Sequence, residues 1–304
     1  MNIIKSRGSK IACRCWQPLL VLCAGVALAL GADKPTVPPL SSVANSPRLP
    51  GKFVWADLVT DDVQAARTFY TGMFGWSFRE VGTYSIAYNE DRPLCGIFHR
   101  SRPADRPEAR PRWISYLSVR SVSAAERTVN KAGGRVVSPP QNIPKRGDQA
   151  VFADTEGALF GVICSRNGDP EDFLPEPGDW IWIQLFSHDA QKAAGFYRNI
   201  GGYEVMENTA TNRLSDYILT SEGFARATIR TISKQYQQVP ANWLPFVRVN
   251  HVAESVAKAK QLGGTALVEP SPGLFDGKVA VIADPTGGLI GILEWSALAG
   301  KGAR

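Results

Sequence analysis

Apolar and polar positions alternate through "FVWADLVT" at residues 53–60, and the pattern then changes to helical spacing. Val63, Ala66, Phe69, Tyr70 and Phe74 recur at intervals of three and four, so a half-buried strand runs into an amphipathic helix. Asp61 or Asp62 stands where a helix cap is wanted. Short strands are predicted from Ser77 to Phe98. The order then restarts. "WISYLSV" from Trp113 predicts a strand, "SVSAAERTVNKAGG" a helix closed by glycines, and strands follow around Val136, Val151 and Phe160.

This double unit occurs twice. Trp55 matches Trp182 and Phe69-Tyr70 matches Phe196-Tyr197 at an offset of 127. Trp113 matches Trp243, Gly133-Gly134 matches Gly263-Gly264, and Asp154 matches Asp284 at an offset of 130. "DTEGALFGVI" from Asp154 parallels "DPTGGLIGIL" from Asp284. A register held across whole blocks is the mark of an internal repeat. The expected fold class is α+β: four βαβββ units, two per domain, each packing its helix on one face of a small sheet and leaving the other face free. The expected domains are 53–164 and 180–296. A Pro- and Ser-rich tether without a core of its own spans 32–52, a polar linker spans 165–179, and a tail spans 297–304.

Charge alters the picture mainly at the start of the chain. The 304 residues carry a formal charge of +6, and residues 1–31 hold Lys5, Arg7, Lys10 and Arg14 with no acid, which leaves +2 for the rest. A positive start, an apolar run from Leu19 to Leu30 and small residues at Ala29 and Gly31 read as a secretory signal cleaved before Ala32. The expectation is a periplasmic or secreted protein with no stable membrane span after signal removal, the apolar run being short for a span. A retained N-terminal anchor is the alternative. Cys13, Cys15 and Cys23 leave with the leader, and Cys95 and Cys164 are expected as free thiols. The loop from His99 to Arg112 interleaves arginines with prolines and acids, which suits a solvated loop and not nucleic acid.

The stretches "WADLVTDDVQAARTFYTGMFGW", "SVSAAERTVNKAGGRVV" and "VFADTEGALFGVI", with their second copies, resemble the vicinal oxygen chelate superfamily of glyoxalases, bleomycin resistance proteins and extradiol dioxygenases. The resemblance implies two tandem glyoxalase-like domains whose sheets curl into cups, with ligands on the concave face. It implies that fusion of two copies replaces a homodimer, so a monomer is expected. It also implies that catalytic members hold a divalent metal by His or Glu from four strands. Such a metal acts as a Lewis acid on neighbouring substrate oxygens and needs converging imidazole or carboxylate donors. Here the corresponding positions are Trp55, Gly96, Ile114 and Gly161, then Trp182, Ala227, Leu244 and Gly291. None offers a metal donor, so no metal and no cofactor are expected. His188 and His251 fall in turns, and alternation points His99 away from the cup.

Alternation aims Trp55, Asp57 and Tyr116 into the cups from the first copy, and Trp182, Gln184, Phe246 and Arg248 from the second. Whether cups form within domains or by exchange between them stays open, so Trp55 shares a pocket with either Tyr116 or Arg248. Indole faces with a few polar anchors suit a small, partly aromatic organic molecule. The leading expectation is thus an exported, metal-independent binder of such a molecule. One alternative is a metal-dependent lyase, isomerase or dioxygenase of the glyoxalase superfamily, or acid-base work by Asp57 with Tyr116 or Arg248. Another is a scaffold or interaction protein whose cups are plugged by their own tryptophans.

Overall fold

The computed structural model describes residues 37–101, 110–209 and 215–295. The leader, its cleavage point and the 297–304 tail lie outside the described residues. In the first half, β1 (Phe53–Thr60) leads into α1 (Val63–Phe74), then β2 (Ser77–Val81), β3 (Tyr84–Asn89) and β4 (Arg92–His99). The unit repeats as β5 (Arg112–Ser118), α2 (Val122–Lys131), β6 (Arg135–Ile143), β7 (Gly147–Ala153) and β8 (Leu159–Ser165). The second half holds β9 (Trp180–Ser187), α3 (Ala190–Gly201), β10 (Glu204–Glu207), β11 (Tyr217–Ser221) and β12 (Phe224–Thr231). It ends with β13 (Asn242–Val249), α4 (Val252–Gln261), β14 (Thr265–Val268), β15 (Val279–Ala283) and β16 (Leu289–Glu294). Among the described residues no helix is long and apolar enough to cross a membrane.

Each half forms one eight-stranded sheet, ordered β2-β3-β4-β1-β5-β8-β7-β6 and β10-β11-β12-β9-β13-β16-β15-β14. The α+β class and the four βαβββ units are therefore present. Both sheets close by antiparallel pairing of first strands, β1 on β5 and β9 on β13. The cups form within each half, and Trp55 stands opposite Tyr116, not beside Arg248.

Local sequence explains the helices. Asp62 caps α1 by accepting from the Ala65 amide at 2.9 Å, and Asp189 caps α3 in the same way through Lys192 at 3.0 Å. Gly75 and Gly202 end these helices in the left-handed conformation that a side chain resists.

The helical faces of the two sheets meet each other. One core joins α2, β5 and β7 to α3, β9 and β12 through Val129, Phe152, Phe160, Phe196 and Tyr197. Its counterpart joins α1 and β1 to α4, β15 and β16 through Leu58, Phe69, Tyr70, Val256 and Ile290. Each core thus draws side chains from both halves of the sequence.

A pair of buried latches crosses this interface. Tyr70 donates to Asp284 Oδ2 at 2.8 Å and accepts from Trp113 Nε1 at 3.2 Å. Tyr197 donates to Asp154 Oδ2 at 2.9 Å and accepts from Trp243 Nε1 at 2.8 Å. The remaining oxygen of each aspartate takes turn amides, those of Glu156 and Ala158 or of Thr286, Gly287 and Gly288. The "DTEG" and "DPTGG" turns are therefore docking points for the opposite half. Burial raises the Asp154 carboxyl above the usual range, and burial beside the carboxylates raises both tyrosine hydroxyls far more.

The polar linker is packed. Asp169 is wholly buried and accepts from the Leu49 amide, Ser118 Oγ and Ser165 Oγ. Asp179 is also buried, paired with Arg92 at 2.8 Å. The described part of the tether, residues 37–52, bends and turns rather than running extended, and it does not lie free. Val37 and Leu40 enter the core of the first cup. Cys95 and Cys164 are free thiols on β4 and β8.

Candidate functional site

The concave faces are built from alternate residues of the central strands. In the first cup these are Trp55, Asp57 and Val59 of β1 and Ile114 and Tyr116 of β5. β1 also pairs in parallel with β4, setting Asp57 beside Gly96, and β5 with β8, setting Tyr116 beside Gly161. In the second cup Gln184 stands beside Thr228 and Phe246 beside Gly291. Ala227, expected at this β12 position, instead faces the helical core at 0% exposure. The β11–β12 hairpin repeats the β3–β4 hairpin, bulge included, at an offset of 132, because the connection from β10 to β11 is longer than that from β2 to β3.

The floor of the first cup is a closed hydrogen-bond network. Trp55 Nε1 donates to Asp57 Oδ1 at 2.8 Å and lies 3.0 Å from Tyr84 Oη. The Tyr84 hydroxyl donates to the same oxygen, and the Tyr116 hydroxyl also hydrogen-bonds this carboxyl. Asp57 is a floor residue, 6% exposed, and not a rim residue. Burial raises its carboxyl above the usual range, against the opposing pull of Arg146 and the three donors. Tyr84 was not singled out from sequence. Its ring crosses β4 over Gly96, where any Cβ would overlap the phenol. That glycine is the one sequence signal that could have revealed it.

Arg146, on the turn between β6 and β7, folds over this floor. Its guanidinium stacks on Trp55 at 4.2 Å from the ring centroid, and its Nε donates to the Pro38 carbonyl at 3.2 Å. Arg146 is only 3% exposed, and its Nη2 finds no hydrogen-bond partner. Val37 and Leu40 pack beside it against the same cluster as Trp55, Tyr84 and Tyr116. The first cup is occupied by the chain's own N-terminal segment.

The second cup is composed differently. Trp182 donates to Thr228 Oγ1 at 2.9 Å and remains partly exposed, unlike buried Trp55. Leu244 and Phe246 form its floor, with Ile181, Phe186 and Leu293 partly buried around them. Gln184 replaces Asp57 and is 7% exposed. Arg248 lies at the strand end, where it donates to the Pro175 carbonyl and lies 5.4 Å from the centre of the Trp295 ring. At the register position of Arg146, 130 residues on, the second copy has Asp276, which is exposed. Trp182, Gln184 and Phe246 are thus together in one cup, with Arg248 held against the linker at the strand end, and Trp55, Asp57 and Tyr116 are in the other.

The positions that would hold a superfamily metal are unsuited to one. In the first cup Trp55, Gly96, Ile114 and Gly161 offer no donor; the neighbouring Asp57 carboxyl is already engaged by three hydrogen-bond donors, and the glycines are covered by Tyr84 and Tyr116. In the second Trp182, Leu244 and Gly291 offer none, and the neighbouring Gln184 and Thr228 supply only an amide and a hydroxyl. Among the described residues no three His, Cys, Asp or Glu side chains gather in reach of one ion. His99 is exposed at the end of β4, His188 bonds the Val239 carbonyl, and His251 precedes α4.

Comparison with known proteins agrees with this architecture. Residues 52–162 match the model of the Glyoxalase/Bleomycin resistance protein/Dioxygenase superfamily. The chain is 28% identical over 249 residues to "Putative glyoxylase CFP32" of Mycobacterium tuberculosis (strain CDC 1551 / Oshkosh), covering 79% of this chain and 93% of that protein. It is 29% identical over 262 residues to "Anthracycline biosynthesis protein DauV" of Streptomyces sp. (strain C5), covering 81% and 94%. In fold it resembles the Mn(II)-bound glyoxalase from Novosphingobium aromaticivorans, with a TM-score of 0.54 at 16% identity over 81% of this chain and 82% of that one. It likewise resembles the 2,3-dioxygenase LapB from Pseudomonas sp. KL28, with a TM-score of 0.55 at 11% identity over 83% and 94%. Residues 52–162 therefore form a domain of the Glyoxalase/Bleomycin resistance protein/Dioxygenase superfamily, and the second sheet repeats the same fold.

Proposed function

We propose that the second cup binds a small, partly aromatic organic molecule without a metal ion, in a protein exported by its N-terminal leader. The observation that carries this reading is the contrast between the cups. The first is filled from within, whereas the second keeps Trp182, Phe186 and Leu293 partly exposed around an apolar floor. An indole face offers a stacking surface, and Gln184, Thr228 and Arg248 stand nearby as polar groups that could orient a ligand. Metal independence rests on the donor set, which lacks the imidazoles and carboxylates that chelation chemistry demands. Export rests on the charge and apolar pattern of residues 1–31.

Two relatives named for anthracycline biosynthesis support a flat, fused-ring ligand with phenolic and keto oxygens. The test uses the chain from Ala32 onward, dialysed against chelator and titrated with 1,8-dihydroxyanthraquinone while tryptophan fluorescence is followed. Saturable quenching at one equivalent, lost in Trp182→Ala, is expected. Quenching that needs an added divalent ion, or that never saturates, sinks the reading. The scaffold alternative draws support from the first cup alone, whose interior the chain itself fills.

A further inference from the structure

The first cup contains a half-used binding fork. Arg146 Nε and Nη2 form one edge of the guanidinium, the edge that takes a carboxylate side-on through two parallel hydrogen bonds. The Pro38 carbonyl engages Nε alone, at 3.2 Å, and Nη2 is buried without a partner. The Asp57 carboxyl of the floor attracts the guanidinium charge, but no group hydrogen-bonds Nη2, and a buried, unpaired guanidinium nitrogen is costly. Trp55 Nε1 and the Tyr84 and Tyr116 hydroxyls are donors committed to Asp57. The guanidinium is meanwhile held rigidly by stacking on Trp55. Beside it, two aliphatic side chains, Val37 and Leu40, fill apolar space at 6% and 4% exposure. They belong to a proline-rich stretch that forms no strand or helix.

We propose that this cup is a second ligand site, that residues Val37–Ser41 occupy it as an internal stand-in, and that its ligand is a small apolar carboxylate. The carboxylate fills both nitrogens of the Arg146 edge where the Pro38 carbonyl fills one. The apolar body replaces the Val37 and Leu40 side chains against Trp55 and Tyr84. A proline-rich segment suits the part, because it makes no ladder bonds that would have to be broken on leaving. Release is a competition: the ligand's apparent affinity is its intrinsic affinity reduced by the fraction of molecules with the segment displaced. The second cup lacks this device, since exposed Asp276 stands at the register position that Arg146 holds in the first.

The test uses the chain from Ala32 onward with 4-phenylbutyrate as probe and 4-phenylbutanamide as control, followed by calorimetric titration. Leu40→Asp places a charge in the buried pocket and undocks the segment, which hydrogen exchange at residues 37–50 reports directly. In this variant 4-phenylbutyrate binds about 10- to 100-fold more tightly than in the parent, the factor expected for losing one buried leucine anchor. Adding Arg146→Met to Leu40→Asp removes that gain, and the amide shows none in any variant. Equal affinity in parent and Leu40→Asp overturns the proposal, as does a gain that survives Arg146→Met. If Leu40→Asp shows no cooperative unfolding transition, the segment is an integral part of the core and the proposal falls too. Trp182→Ala leaves this binding unchanged, so failure here is distinct from failure of the second cup to bind.

Discussion

Replacing Tyr70 or Tyr197 by Phe removes one oxygen from the interface between the halves. The consequence is worked from its partners. In Tyr197→Phe, Asp154 Oδ2 loses the donor at 2.9 Å and Trp243 Nε1 loses the acceptor at 2.8 Å. Both orphaned groups are buried, Trp243 at 1% and Asp154 at 6% exposure. Leaving a buried polar group unsatisfied costs about 1–3 kcal/mol, so with two orphaned groups the variant should lose about 2–6 kcal/mol. Tyr70→Phe orphans Asp284 Oδ2 and Trp113 Nε1 in the same way, and the repeat predicts a similar loss. At about 2–4 °C per kcal/mol for a large domain, either change lowers Tm by roughly 4–24 °C. Urea unfolding followed by tryptophan fluorescence and by far-ultraviolet circular dichroism measures it. A second removal, Trp243→Phe in the Tyr197→Phe background, costs less than it does alone, because its partner has already gone. Losses under about 0.5 kcal/mol for both tyrosine variants would refute the reasoning, since buried latches cannot be that cheap to break.

Other outcomes follow from the cups. Trp182→Ala should weaken 1,8-dihydroxyanthraquinone binding while costing less stability than Trp55→Ala. The latter empties a site 5% exposed beneath Arg146 and should cost about 3–5 kcal/mol in chemical denaturation. Asp57→Asn should change the pH dependence of stability. Burial raises the Asp57 carboxyl from 3.8, so the unfolded chain gives up this proton first, and the parent loses stability as pH rises from about 4 to the folded value. The parent-minus-variant difference should therefore fall across that window; a flat difference would show that the carboxyl is not perturbed. Gly161→Ala drives a Cβ into the Tyr116 ring and should lower Tm; a neutral effect would mean that the ring does not lie over β8 as described.

Much of the architecture was legible because periodicity and repetition are local signals. The alternation of β1, the helical spacing of α1 and the capping Asp62 each appear within a dozen residues, and the second copy restates them. The concave positions of Trp55, Asp57, Tyr116, Trp182 and Phe246 follow from the same period of two. What escaped depends on partners far along the chain. Tyr70 is plain as a core residue, but nothing near it announces that its hydroxyl reaches Asp284 in the other half. Thr228 was missed for Ala227 because the longer connection between β10 and β11 moves the offset between the copies to 132, and alternation does not say where extra residues are inserted. Val37 and Leu40 sit among prolines with no periodicity to mark a buried face, so a tether and a cup occupant look alike in sequence. Arg146 likewise reads as a turn residue, and only the fold brings it over Trp55.

The most direct test of the account is a crystal structure of the chain grown with chelator and a brominated 1,8-dihydroxyanthraquinone, with anomalous scattering to locate the bromine. The account predicts one bromine site inside the second cup, its ring system stacked on Trp182 between β9 and β13, with no ion bound to either sheet. A bromine outside that cup, or a divalent ion bound by protein atoms on either concave face, would contradict it.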